Sequence, residues 1–212
     1  MKRFIVGITG ASGSIFGIRL VEELLKKDYK VYIIITKMGR LIIERELNIN
    51  IYTCIKNKKE IEDNLLKYLI EKTKIVKDIL KEKIEYLPIE QIDSPVSSGS
   101  FLTEGMAIVP CSMSTLSGIS QARSLNLLER AADVNLKEGR PLLLAPREMP
   151  LNALHLENML RLSKLGVIIA PPIPGFYNDP KNLDDLVDFV VGKIMDCLKI
   201  PNNLFKRWSE LN

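Results

Sequence analysis

The chain has 212 residues, of which 46% are hydrophobic and 26% charged; this ordinary globular composition excludes a disordered or low-complexity protein. The length predicts a single domain over residues 1–212, large enough to fold without disulfides or a structural metal. The net charge of +4 is too small to indicate nucleic-acid binding, but it suits a protein that binds small phosphates.

The cysteines and the single histidine argue against a metal centre. Cys54, Cys111 and Cys197 are scattered and odd in number, so they predict neither a disulfide framework nor a set of metal ligands. The N-terminal apolar stretch is interrupted by glycines before it could form the core of a signal peptide, and no apolar run is long enough to span a bilayer. We therefore expect a cytoplasmic protein without a bound metal and without a membrane partner.

Apolar strands alternate with amphipathic helices along the chain. Continuous apolar runs predict strands at residues 4–9, 31–36, 106–110, 142–146 and 167–170. Helical spacing of apolar residues predicts helices at residues 15 to about 27, 127–138, 152–165 and 183–198. Strands that are apolar throughout are typical of a parallel sheet covered on both faces, so the sequence predicts a three-layer α/β fold with a mainly parallel sheet.

Residues 56–85 differ in composition from the rest of the chain. They contain nine lysines and seven acidic residues around a sparse set of apolar positions. A basic amphipathic helix of this kind can bind a membrane surface or a partner. We favour the simpler interpretation, a helical excursion whose charged face is exposed to water.

Two turns that follow predicted strands are candidates for ligand binding. The first is the glycine-rich turn at residues 10–13, and the second is the hydroxyl-rich turn at residues 110–115. Backbone amides at the start of a helix can hold a phosphate of a nucleotide or a flavin. The structural alternatives are a tight turn with close helix packing for the first, and helix capping by Ser112 and Thr115 for the second.

Several charged and aromatic residues complete the candidate set. Arg147 and Glu148 directly follow a predicted strand, where an arginine can clamp a phosphate and a glutamate can transfer protons. Arg130 and Lys137 share one helix face, although ion pairs with neighbouring glutamates would explain them equally well. The proline-rich loop at residues 171–177 ends in a tyrosine, and we expect this loop and the C-terminal segment with Trp208 to expose apolar groups for an oligomer contact. We expect Cys111 and His155 to have structural roles.

Taken together, these stretches resemble the UbiX-type flavin prenyltransferases over nearly the whole chain. The matching stretches are GITGASGSIFGIRL from Gly7, PCSMSTLSGI from Pro110, LLERAADVNLKEGRPLLLAPREMPL from Leu127, HLENMLRLSKLGVIIAPPIPGFY from His155 and LVDFVVGKIM from Leu186. The resemblance implies a Rossmann-like, flavodoxin-like fold that assembles as a dodecamer. It also implies transfer of the dimethylallyl group of dimethylallyl monophosphate to N5 and C6 of reduced FMN, without a metal. The product would be prenylated FMN, the cofactor of UbiD-type decarboxylases.

The resemblance assigns roles residue by residue. The residues expected to bind FMN are Gly10, Ala11, Ser12, Thr36, Ser98, Ser112, Met113, Ser114, Thr115 and Arg147. The residues expected to hold the prenyl phosphate are Lys137, Arg147, Tyr177 and Lys193. The residues expected to act in catalysis are Ser12, Glu46, Arg130, Lys137 and Glu148. The family commonly has an arginine where this chain has Lys193, and a lysine keeps the charge but loses the bidentate fork.

Other functions remain as alternatives. An FMN-dependent cysteine decarboxylase of the same fold would use a histidine near the first helix and a Pro-x-Met-Asn stretch, whereas this chain has only His155, and PLN at Pro150. A decarboxylase acting alone on aromatic acids would need a further cofactor to stabilise a carbanion. A non-enzymatic flavin carrier would bind FMN but would leave Lys137, Tyr177 and Glu148 without a role.

Overall fold

The computed structural model describes residues 1–52, 58–73 and 75–208. Its six strands form one sheet in the order β3-β2-β1-β4-β5-β6, and every neighbouring pair is parallel. The strands are β1 (Arg3–Ile8), β2 (Lys30–Ile35), β3 (Ile84–Leu87), β4 (Met106–Cys111), β5 (Leu142–Pro146) and β6 (Ile168–Ile169). The helices are α1 (Ser14–Lys26), α2 (Lys37–Leu47), α3 (Lys58–Thr73), α4 (Lys77–Lys83), α5 (Met113–Ser120), α6 (Leu127–Lys137), α7 (Ala153–Lys164) and α8 (Leu183–Cys197), with a 3-10 turn at Pro95–Ser97.

Helices cover both faces of the sheet and bury it. Alternate residues of β1 face opposite layers: Phe4, Val6 and Ile8 pack against α1 and α8, whereas Ile5 packs with side chains of α5 and α6. Burial on both sides explains why the strands are apolar throughout rather than alternating. The predicted three-layer α/β fold with a parallel sheet is confirmed.

The predicted strands and helices are present, with boundaries shifted by one or two residues. Two elements were missed. Strand β3 is a four-residue edge strand that begins at the end of the charged segment, where lysines and glutamates precede it and obscure its short apolar pattern. Helix α2 begins after Thr36, which the sequence pattern assigned to the preceding strand; the Thr36 hydroxyl instead caps the helix by accepting a hydrogen bond from the Gly39 amide at 3.0 Å.

The charged segment folds onto the protein through its apolar positions. Helix α3 buries Ile61, Leu65, Leu66 and Leu69, and α4 buries Leu80. Most apolar side chains of α3 and α4 therefore face inward, with Ile79 as an exposed exception, and the charged face is exposed, as the favoured interpretation predicts. Within the described residues, no helix is both long and apolar enough to cross a membrane. Cys54 lies outside the described residues.

Candidate active site

The two candidate turns lie side by side, because they follow the neighbouring strands β1 and β4. From β1 the chain passes to β2 on one side of the sheet, and it later enters β4 on the other side. The carboxyl ends of β1 and β4 therefore mark the switch point of the sheet, where open α/β folds bind their ligands. The Thr9 hydroxyl joins the two turns: it donates to the Pro110 carbonyl at 2.8 Å and accepts from the Ser112 amide at 2.7 Å.

The hydroxyl-rich turn opens helix α5. Ser112 is its N-cap, and the hydroxyl accepts from the Thr115 amide at 3.4 Å and donates to the Thr115 hydroxyl at 3.1 Å. Capping by Ser112 is thus confirmed, while Thr115 is its partner rather than a second cap. The first four amides of a helix have no partner inside it. Of these four, the Ser112 amide donates to the Thr9 hydroxyl and capping takes the Thr115 amide, which leaves those of Met113 and Ser114 for a ligand.

The glycine-rich turn opens helix α1, but its helix N-terminus already holds an anion. Gly13, with φ of +98°, occupies the N-cap position without a capping side chain of its own. The carboxylate of Glu46, from the last turn of α2, accepts from the Gly13 amide at 3.1 Å and from the Ser14 amide and hydroxyl at 2.8 and 2.7 Å. An FMN phosphate placed between the two turns would therefore find open amides on α5, whereas those of Gly13 and Ser14 are taken.

These hydrogen bonds control the ionisation of Glu46. Burial raises the pKa of the carboxyl, but hydrogen bonds from Ser12, Ser14 and the Gly13 amide outweigh it and hold the pKa below its ordinary value of 4.5. A carboxyl whose pKa is lowered on folding stabilises the protein above its unfolded pKa, and this stabilisation disappears as the pH falls through the folded pKa.

We therefore expect Glu46→Gln to lower the melting temperature at pH 7, because the neutral amide is a weaker cap of α1 than a carboxylate. The difference from the parent protein should shrink as the pH falls below 4.5, where the parent carboxyl also becomes neutral. Thermal melts of both proteins between pH 7 and pH 3 measure this difference. A gap that stays constant over this range would contradict the capping role.

Arg147, which directly follows β5, contacts both candidate turns. Its Nε donates to the Ser12 carbonyl at 3.2 Å, and its backbone amide donates to the Cys111 carbonyl at 3.2 Å. Glu148 follows directly, and both side chains are exposed. A cation, a carboxylate and two donor-rich turns thus meet at the carboxyl edge of the sheet.

The start of helix α2 packs against the glycine-rich turn. An added Cβ at Gly10 would lie 2.5 Å from the Met38 Cβ, so the glycine is required for the close approach of α2. We call the residues assembled here the carboxyl-edge group: Gly10, Ala11, Ser12, Thr36, Glu46, Ser112, Met113, Ser114, Thr115, Arg147 and Glu148.

A second set, the α6 group, consists of Ser98, Arg130 and Lys137. The Arg130 Nε donates to the Ser97 carbonyl at 3.2 Å, and its guanidinium pairs with Asp133 at 2.9 Å. Lys137 pairs with Glu138, as the ion-pair alternative predicted. Glu129, the other neighbouring glutamate, is instead bound by Arg123 at 2.7 Å.

A third set, the α8 group, consists of Tyr177 and Lys193. The Tyr177 ring meets Phe189 and Trp208 edge-on, at centroid distances of 5.5 and 5.3 Å. Lys193 lies one helical turn after Phe189 on the same face of α8, and its Nζ is 3.9 Å from Asp196. Both Tyr177 and Lys193 are exposed.

One chain does not bring Lys137 to Arg147. Lys137 ends α6 just before β5 begins, whereas Arg147 follows the last residue of β5. At a rise of about 3.3 Å per residue, the strand alone separates these two ends by about 16 Å. Among the described residues, no hydrogen bond or ion pair links the α6 group or the α8 group to Arg147.

Two candidates have structural roles, as expected. Cys111 is fully buried in the sheet, and burial raises the pKa of its thiol far above the ordinary value, which makes it a poor nucleophile. His155 forms a capping box at the start of α7: its Nδ1 accepts from the Asn152 amide, and the Asn152 side chain accepts from the His155 amide. In the described part of the chain, no cluster of three or more His, Cys, Asp or Glu side chains could hold a metal ion.

Comparisons with known proteins identify the family of the chain. A family model described as Flavoprotein matches residues 1–195. The flavin prenyltransferase UbiX of Halalkalibacterium halodurans is 49% identical over 207 residues, covering 98% of this chain and 93% of that protein. A crystal structure of AnUbiX (PadA1) in complex with FMN and dimethylallyl pyrophosphate superimposes with a TM-score of 0.79 at 32% identity, covering 98% of this chain and 97% of the other.

A further solved structure, a dodecameric FMN-dependent UbiX-like decarboxylase from Escherichia coli O157:H7, gives a TM-score of 0.78 at 36% identity. It covers 97% of this chain and 98% of the other. These matches extend over nearly the whole length of each protein and span both candidate turns. The chain therefore belongs to the flavoprotein family, among the flavin prenyltransferases of the UbiX type.

Proposed function

We propose that the protein joins the dimethylallyl group of dimethylallyl monophosphate to N5 and C6 of reduced FMN and releases phosphate. The observation that carries this proposal is the convergence of the Ser12 turn, the Ser112 turn and Arg147 at the switch point of the sheet. FMN supplies the atoms that accept the prenyl group, and the protein supplies binding, orientation and proton transfer.

The carboxyl-edge group fits FMN. The amides of Met113 and Ser114 start a helix, where backbone dipoles favour a phosphate, and the hydroxyls of Ser112 and Thr115 are beside them. Arg147 lies across the same cleft, close to the Ser12 turn. Because Glu46 already fills the N-terminus of α1, we place the FMN phosphate at the start of α5 and the flavin toward Ser12 and Arg147.

The prenyl phosphate requires more positive charge than this group alone provides. Negative charge accumulates on the phosphate as its bond to the allylic carbon breaks, and fixed cations stabilise that transition state more than the ground state. Lys137 and Lys193 are the predicted donors, but they belong to the α6 and α8 groups. We therefore propose that a complete site combines groups from different copies of the chain.

The surface supports assembly from several copies. Helix α7 buries only Leu162, while Leu154, Leu156 and Leu160 are 68%, 52% and 57% exposed. The proline-rich loop and the C-terminal segment expose Phe176 and Trp208 to 69% and 73%, as the sequence predicted. The α7 leucines and the aromatic groups near α8 lie on opposite layers of the fold, and large apolar side chains exposed in this way are typical of surfaces that another chain covers. We propose a homo-oligomer built on these surfaces, with the dodecamer of the related Escherichia coli protein as the expected size.

The alternative functions leave features of the chain without a use. A flavin carrier would need the carboxyl-edge group only, and would give no role to Lys137 or Tyr177. A cysteine decarboxylase of this fold is not favoured, since the relatives that match nearly the whole chain are named flavin prenyltransferases.

The test is an anaerobic incubation of the protein with reduced FMN and dimethylallyl monophosphate, followed by mass spectrometry of the flavin. We expect the flavin mass to increase by one dimethylallyl unit with release of inorganic phosphate. A parallel incubation with dimethylallyl diphosphate decides the phosphate requirement, because the related structure holds the pyrophosphate. Unmodified FMN in both incubations would refute the proposed activity and favour the carrier.

The fate of the product rests on the resemblance alone. We propose that prenylated FMN passes to a UbiD-type decarboxylase; activation of such an apoenzyme by the reaction mixture, but not by FMN, tests this. The single-domain organisation and the cytoplasmic location stay predictions.

A further inference from the structure

Thr9 is a buried polar residue at the junction of the two ligand-binding turns, with an exposed fraction of 0%. The regular ladder between β1 and β4 ends at Gly7 and Ile108, two residues before Thr9, whose backbone amide still donates to the Pro110 carbonyl at 3.2 Å. The register between β4 and β5 also shifts between Ile108 and Cys111. At this irregular end of the sheet, the Thr9 hydroxyl adds two hydrogen bonds between β1 and β4, one to the Pro110 carbonyl and one from the Ser112 amide.

The hydroxyl acts on one peptide group, the one between Cys111 and Ser112. Its N–H donates to the Thr9 hydroxyl at 2.7 Å, and its carbonyl accepts from the Arg147 amide at 3.2 Å. This peptide is therefore held from the β1 side and from the β5 side at once. It immediately precedes the amides of Met113 and Ser114, which we assign to the FMN phosphate.

We propose that Thr9 is a positioning residue for FMN binding. Its hydroxyl sets the orientation of the Cys111–Ser112 peptide, and through it the spacing between the start of α5, the Ser12 turn and Arg147. This inference rests on the proposed function, because it concerns the placement of FMN. The valine side chain has nearly the shape of the threonine side chain, but it can neither donate to the Pro110 carbonyl nor accept from the Ser112 amide.

The test compares Thr9→Val with Thr9→Ser. FMN dissociation constants come from the change in flavin fluorescence on binding, and folding is followed by thermal melts. We expect Thr9→Val to weaken FMN binding by about tenfold or more, since an unpaired buried amide lets the turn rearrange. Thr9→Ser, which keeps the hydroxyl, should bind FMN within a few-fold of the parent protein.

A core variant far from the site separates positioning from general destabilisation. Leu80 is fully buried on α4, so Leu80→Ala should lower the melting temperature without changing FMN affinity. The proposal is overturned if Thr9→Val binds FMN as the parent does, or if Leu80→Ala weakens FMN as much as Thr9→Val. If Thr9→Val does not fold, Thr9→Ala serves in its place, with the same criteria.

The test of Thr9 measures FMN affinity, so its result does not depend on whether the protein catalyses prenylation. Weakened FMN binding by Thr9→Val together with a parent protein that forms no prenylated flavin would retain the positioning role and refute the proposed activity. If the parent protein prenylates FMN but Thr9→Val binds FMN with unchanged affinity, the proposed activity is retained and the positioning role is refuted.

Discussion

Glu148→Gln should lower the rate of flavin prenylation by about 100-fold or more while FMN binds as tightly as in the parent protein. Protons must leave the flavin as the new bonds form, and a positioned carboxylate that accepts them typically contributes this factor. Glu148 is exposed beside Arg147 at the carboxyl edge, where it can reach a bound flavin. Single-turnover rates measured by mass spectrometry, together with FMN titrations, give both quantities.

Lys137→Ala should also abolish most of the activity, but in a different way. Loss of a donor that binds the leaving phosphate should lower kcat and also raise the KM for the prenyl phosphate, whereas Glu148→Gln should lower kcat alone. Glu104→Gln and Lys27→Ala are the matched controls, because both side chains are exposed and lie outside the three groups. If both site variants turn over at the parent rate, the assigned roles of Lys137 and Glu148 are wrong.

Leu160→Asp should break the oligomer into smaller species and remove most of the prenylation activity. Leu160 is 57% exposed on α7, where Leu154 and Leu156 are also exposed. A carboxylate there would be desolvated without a partner on assembly, at a cost of several kcal/mol. Light scattering measures the mass of the species in solution.

The control for this variant is Ile79→Asp, on α4. Ile79 is 44% exposed but lies in the charged segment, away from the proposed contact surface. This variant should keep the mass and the activity of the parent. A Leu160→Asp protein that retains the parent mass, or a parent that is already monomeric, would contradict the assembly of the site from several copies.

The sheet could be predicted from the sequence because its strands are buried on both faces. Continuous apolar runs identified β1, β2, β4, β5 and β6, and the order of strands and helices gave the layers. Strand β3 escaped because an edge strand of four residues with a glutamate in it has no distinctive pattern. Helix α2 was not predicted because its capping residue, Thr36, continues the apolar run of β2.

The site was only partly predictable, for a physical reason. Glycines, hydroxyls and charges after strands mark the carboxyl edge, since that edge is fixed by topology. That Glu46 fills the N-terminus of α1 depends on a contact across 32 residues, which no local pattern encodes. The wide separation of Lys137 from Arg147 likewise appears only in the fold, whereas the resemblance had placed both around one substrate.

We propose that one prenylation site uses Glu148 from one copy of the chain and Lys137 from another. Co-expression of Glu148→Gln subunits with Lys137→Ala subunits tests it directly, because mixed oligomers contain some sites in which both residues are intact. We expect part of the parent rate to return, although each variant alone is inactive. Co-expression of Glu148→Gln with Arg147→Ala, two changes in the same carboxyl-edge group, should restore nothing. If the first pair recovers no activity, or if both pairs recover equally, the site is not shared between copies in this way.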